Sequence, residues 1–97
     1  MEFIKYRPST SRRHKYDAVF RDGNREKVVR FGSANHSDYT LHGDDDRRRR
    51  YIARHQPNED WSDPLTAGFH ARWVLWHLPN INDSMAAAVR LMRRLGF

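Results

Sequence analysis

The sequence predicts an α+β domain: a small antiparallel β-hairpin or sheet packed on about three helices. Three observations predict it. Apolar residues alternate on both sides of Asp22-Gly23, as in a hairpin. The stretches Pro64–His77 and Met85–Leu95 are apolar at helical spacing. A third stretch, Asp44–His55, opens on carboxylates and closes on basic residues, as a helix with a macrodipole prefers.

Composition sets the scale. The chain has 97 residues, 38% hydrophobic and 31% charged. A domain this long hides roughly two-thirds of the surface its unfolded chain exposes. One core is therefore expected, built on Trp, Phe and Tyr, since 12% of the residues are aromatic. The absence of cysteine excludes disulfides and thiolate metal sites and fits a reducing compartment. No apolar run approaches the ~20 residues that span a bilayer, so no membrane insertion is expected. Met1–Arg13 lacks the apolar centre of a secretion signal and is read as mature protein.

Taken in order, residues 7–13 (Arg-Pro-Ser-Thr-Ser-Arg-Arg) contain no apolar side chain. Residues 1–13 are therefore expected as a basic arm, followed by a single domain over 14–97, with Phe3–Tyr6 as a candidate third strand. A strand is expected from Lys15 to Arg21 and another from Arg25 to Phe31. With the two-residue turn at Asp22-Gly23, Tyr16 faces Val29 and His14 faces Phe31. Tyr16, Ala18, Phe20, Val29 and Phe31 then share one face, and Lys15, Asp17, Arg21 and Arg30 the other. Residues 32–43 read as a loop. In the helix that follows, Asp44, Asp45 and Asp46 are placed to pair four residues on with Arg48, Arg49 and Arg50, which would offset much of its charge. Tyr51, Ile52 and His55 form its apolar stripe, and Pro57 ends it. Asp63-Pro64 is a cap followed by proline at the first helical position, so the next helix is expected from there to His77. It is apolar nearly all round, with Leu65, Phe69, Trp73 and Trp76 in one stripe, and is expected at the centre of the core. Trp61, Trp73 and Trp76 are read as core. A last helix, capped by Asn82, Asp83 or Ser84, is expected to run to Leu95.

The net charge is +6, and it is uneven. Residues 1–30 hold nine lysines and arginines against four acids, while residues 31–60 hold five against six. A basic excess favours nucleic acid, acidic lipid or acidic protein partners. The candidate contact surface is the arm and the outer hairpin face, Arg7, Arg12, Arg13, Lys15, Arg21, Arg25 and Arg30, with Arg47 and Arg48 from the arginine run. Such contacts go to backbone phosphates and are sensitive to salt.

Catalytic signatures are sparse. There is no Gly-rich phosphate loop and no G-x-S-x-G. The six histidines lack the His-x-x-x-His spacing of a helical metal site. Neither a metal nor a cofactor is expected, and no catalytic residue is assigned. A metal-dependent nuclease, the one enzymatic alternative, would use His36, Asp38, His42 and His55.

Five strings go beyond generic features: Arg30-Phe31-Gly32, Ser37–His42 (SDYTLH), Arg50–His55 (RYIARH), Trp61–Gly68 (WSDPLTAG) and Arg72–Trp76 (RWVLW). In this order they resemble an uncharacterised family of small proteins found in nucleocytoplasmic large DNA viruses and in some algae and other protists. The resemblance covers Tyr16–Phe97. It implies a viral or virus-derived protein and carries no known activity. The expected function is accordingly a non-enzymatic structural or binding protein of a large DNA virus, located in the virion. Its expected partners are viral structural proteins, DNA, or a larger assembly. The alternative is a DNA- or RNA-binding accessory protein in the cytoplasm or nucleus of the infected cell.

Overall fold

The computed structural model describes residues 1–97. Alternating side chains build a three-stranded antiparallel sheet in the order β1 (Glu2–Pro8), β2 (His14–Asp22) and β3 (Arg25–Ser33). The tight turn is Gly23-Asn24, so Asp22 pairs with Arg25, Ala18 with Val29 and Tyr16 with Phe31. The expected pairings of Tyr16 with Val29 and His14 with Phe31 are corrected by two residues. A two-residue change leaves every side chain on its own face, so the apolar pattern fits either register and only the turn decides. Gly23 has a φ of 60° and Asn24 is not left-handed. That is the pattern of a II′ turn with glycine first, not of the I′ turn expected at Asp22-Gly23.

The segment expected as an arm is built into the sheet. Phe3 pairs with Phe20 and Tyr6 with Ala18, so both aromatic rings reach the inner face although they are three residues apart. A shift in register between Phe3 and Lys5 makes this possible, and it leaves Ile4 exposed. A bulge of this kind resets the two-residue alternation. The end of the chain covers this edge: the Phe3 amide donates to the Phe97 carbonyl (2.9 Å) and Arg93 Nη1 donates to the Phe3 carbonyl (3.0 Å).

Four helices follow: α1 (Tyr39–His42), α2 (Asp45–His55), α3 (Ala67–His70) and α4 (Ile81–Arg94). α1 is a single turn inside the expected loop, capped by Asp38. α2 lies where the carboxylates and Pro57 place it, with Asp44 accepting from the amides of Asp46 and Arg47. The helix expected over Pro64–His77 is shorter and different. Asp63 Oδ1 accepts from the Leu65 amide and closes a turn, and Thr66 caps the true start. From Ala71 to Leu75 the helix widens into a π-turn, closed by the Trp76 amide donating to the Ala71 carbonyl (3.1 Å). The wider turn rotates everything after Ala71, so Val74 and Leu75 join Phe69 in the core while Trp73 and Trp76 pack on its margin. Trp61 is half-buried outside it. α4 starts at its Asn80 cap, whose side chain accepts from the Asn82 and Asp83 amides.

The core is the inner face of the sheet (Phe3, Ala18, Phe20, Val29, Phe31) closed by Phe69, Val74 and Leu75 and by Ala88 and Met92 of α4. α2 contributes no residue to it. No helix is long and apolar enough to cross a membrane.

Candidate functional site

Because α2 stands off from the core, an open cleft of about 660 Å³ remains between it, the loop 33–38 after β3, and the α3/π-turn segment. Two glycines shape its walls. Gly32 has a φ of 78°, and a Cβ there would lie 2.7 Å from Leu75 Cδ1 and 3.2 Å from Lys15 Cβ. A non-glycine residue in this backbone region costs about 1–3 kcal/mol. Gly32→Val should therefore lower the unfolding free energy in urea by at least that range; a loss under ~0.5 kcal/mol would show the bend to be unneeded. On the opposite wall Gly68 lies against Glu59, where a Cβ would come within 3.0 Å of the carboxyl carbon. Glu59 is held in place by Trp61 Nε1 (2.8 Å) and His55 Nδ1 (3.0 Å), both donating to it.

One face of α2 lines the cleft: Arg47, Arg50, Tyr51, Arg54 and His55. The spacing of three and four residues puts them in a row. Arg47, Arg50 and Arg54 are exposed, and their side chains make no ion pair or hydrogen bond. This corrects the expected self-neutralisation. Of the pairs expected four residues apart none forms; the single intrahelical bridge is Arg49 to Asp46, on the exposed side. Arg48 is occupied elsewhere. Its Nε donates to the carbonyls of Trp76 and His77 (3.1 Å each), and its guanidinium lies over Tyr39. Arg72, buried and pushed down to about 10 by loss of solvent and then by Arg48, also donates to the Trp76 carbonyl (3.0 Å). Two cations thus meet the carbonyl end of the π-turn, where the helix dipole favours them.

An aromatic column stands beside the arginines. Tyr51 is sandwiched between Trp76 (centroids 4.4 Å apart, planes at 4°) and His55 (4.2 Å, 22°). Tyr51 is the buried residue of α2, so this stack and Arg48 are what fasten α2 to the rest.

The other sequence-predicted basic residues disperse. Arg7, Asp17 and Arg30 form one cross-strand row on the outer face. Asp17 is fully buried there. Burial alone would raise its pKa, but hydrogen bonds from Ser9, Thr10 and Arg7 outweigh this and hold it below the ordinary carboxylate range. Arg7 (3.2 Å) and Arg30 (3.9 Å) are its counter-ions, not free contacts. Arg21 stands opposite Glu2 and Glu26, and Arg25 opposite Asp22. The outer hairpin face is thus a mixed-sign ladder, while Arg25, expected there, falls on the alternation of Val29 and Phe31 at the end of the opposite face. Arg12 and Arg13 are exposed in the β1–β2 loop, which is tied to the cleft loop by the Ala34 amide donating to the Arg13 carbonyl (3.0 Å). Lys15 lies in the cleft, paired with Asp38. Of the nine candidates, Lys15 and Arg47 line the cleft, and Arg12 and Arg13 are linked to its loop only through the Arg13 carbonyl. Arg50 and Arg54 are the additions. Their signal was the spacing 47, 50, 54 on the same face as Tyr51 and His55.

His36, Asp38 and His55 line the cleft, but His42 turns away to accept from the Asp44 amide (2.9 Å). Asp38 caps α1 and holds Lys15. No three His, Asp or Glu side chains come together as a metal set.

All five strings singled out in the sequence reach this cleft: Gly32, Ser37 and Asp38, Arg50, Tyr51, Arg54 and His55, Ala67 and Gly68, and Leu75 and Trp76. The fold and cleft define a basic α+β domain with a cationic groove beside α2. The chain belongs to the family of unknown function DUF5754, which matches residues 4–55. That span runs from β1 to the end of α2 and holds Lys15, the loop 33–38 and the arginine row. It begins before Tyr16, where the resemblance was expected to start, and the strings from Trp61 onward lie beyond it. No curated protein and no solved structure matches the chain.

Proposed function

We propose that the chain is a non-enzymatic nucleic-acid-binding protein whose cleft takes a phosphate backbone on Arg47, Arg50 and Arg54. One observation carries this reading: three exposed arginines without partners are aligned along one wall of a groove. Like charges four residues apart, as in Arg50 and Arg54, weaken a helix by a few tenths of a kcal/mol. An anion in the groove would relieve this repulsion. Arg12 and Arg13, exposed in the loop bonded to Ala34, are further cations that a longer strand could meet. The resemblance to proteins of large DNA viruses makes the packaged genome the ligand in that setting, with acidic faces of capsid proteins as the other partner class. The nuclease reading has less support, since Asp38 and His42 are engaged in building α1 and the start of α2.

The test is fluorescence anisotropy with a labelled oligonucleotide at low salt. The triple variant R47Q/R50Q/R54Q should fold normally, because these exposed side chains make no hydrogen bond or ion pair, and lose affinity on the order of tenfold to a hundredfold. Unchanged affinity in the folded variant would overturn the site. Proteomics of purified particles checks the setting: the protein should be present, and its absence removes the virion role.

A further inference from the structure

The cleft has one cationic wall, an aromatic column at that wall, and the volume of a small-molecule site. We infer that its ligand is a single-stranded segment of nucleic acid, with phosphates along Arg47, Arg50 and Arg54 and a base stacked on the open face of His55. This rests on the reading of the cleft as a nucleic-acid site. The volume of about 660 Å³ falls in the range of pockets that enclose one cofactor-sized molecule. A nucleotide or two enters such a space, and a duplex does not. A duplex would have to lie across the rim, where only the outermost cations meet it.

The placement of the base follows from the ring stack. Trp76, Tyr51 and His55 lie nearly parallel at 4.4 and 4.2 Å, the spacing at which aromatic rings pack face to face. Tyr51 is covered on both sides. The His55 ring has one face on Tyr51, and its Nδ1 edge is fixed by Glu59. Its side chain is nonetheless 38% exposed and lines the cleft. Part of the ring is therefore open to the cleft, and its second face, turned away from Tyr51, is the plane a base would take. Single-strand binding proteins pair such planes with a cationic track, because every base offers a flat face while the phosphates need charge. Here both sit on one helix: a rise of 1.5 Å per residue spreads Arg47 to Arg54 over roughly 10 Å beside His55.

The experiment compares a labelled strand of roughly 12 nucleotides with its duplex, by anisotropy at one salt concentration. The single strand should bind at least tenfold tighter. His55→Ala should lower that affinity about tenfold, and His55→Phe, which keeps a ring but loses the bond to Glu59, should retain most of it. Equal or tighter binding of the duplex, still abolished by R47Q/R50Q/R54Q, would overturn this inference and leave the proposed function standing. Loss of binding in His55→Phe as large as in His55→Ala would overturn the stacking. Failure of both strand and duplex to bind would remove both readings.

Discussion

Acidification from pH 7 to pH 4 is expected to remove about 3 kcal/mol of folding stability through His70 alone. This histidine is fully buried, with its ring against Phe69 (5.0 Å), Phe31 (5.2 Å), Tyr6 (5.5 Å) and Phe20 (5.8 Å). The Pro64 carbonyl can only accept, so Nε2 donates to it (2.7 Å), and Nδ1 of the neutral ring accepts from the Tyr6 hydroxyl (2.8 Å). Burial pushes the imidazole pKa down to about 4 from its ordinary 6.5, against the smaller opposite effect of the Pro64 carbonyl. Between those two values the unfolded chain binds the proton and the folded chain does not. Stability is therefore fully present above pH 6.5 and declines as pH falls toward 4. Asp17 extends the decline: its depressed pKa makes its contribution disappear as pH falls through and below the ordinary carboxylate range. Urea unfolding at pH 7, 5.5 and 4 measures this. His70→Leu should flatten the upper part of the profile. Equal stability of the parent protein at pH 7 and 4.5, or an unaltered slope in the variant, would contradict the burial of a neutral His70.

Trp76→Ala is expected to cost about 3 kcal/mol and, more tellingly, to release α2 while the sheet stays folded. The sheet, α3, the π-turn and α4 share one core in which α2 has no part. α2 is fastened by Tyr51 on Trp76 and by Arg48 on the Trp76 and His77 carbonyls. Removal of the indole strips Tyr51 of its larger partner and opens the cleft wall that carries the arginine row. Hydrogen exchange should then show amides of Ile52 and Ala53 losing protection while those of Ala18 and Val29 keep theirs. Uniform loss across helix and sheet would mean that α2 belongs to the same cooperative unit. Oligonucleotide binding should fall with the helix, although no residue of the arginine row has changed.

The parts of the fold that were legible in the sequence are those that keep one period throughout. Ala18, Phe20, Val29 and Phe31 alternate without interruption, and their face followed even though the register did not. α2 has its carboxylates, its arginines and Pro57 in order, and α4 keeps a helical stripe from Met85 to Met92. The rest breaks period. The bulge at Ile4 puts Phe3 and Tyr6 on one face at odd spacing, so β1 looked like part of an arm. The π-turn after Ala71 rotates Trp73 and Trp76 away from the stripe they form on an ideal helix. α1 is too short to have a period. The site was only half legible for a related reason. Helix spacing lets each of Asp44–Asp46 reach more than one arginine, so sequence alone does not say which cations go unpaired. The five strings each read as local fold maintenance, and their convergence on one cleft needed the tertiary structure.

The most direct test of the central claim is the salt dependence of oligonucleotide binding, measured on the parent protein and on R47Q/R50Q/R54Q. Each phosphate neutralised on a single strand contributes about −0.7 to the slope of log affinity against log salt. The account predicts a steep negative slope that becomes shallower by roughly 2 in the triple variant, because three phosphate contacts are lost. A parent slope near zero, or the same slope in both proteins, would contradict the claim that the α2 arginine row is where the polyanion binds.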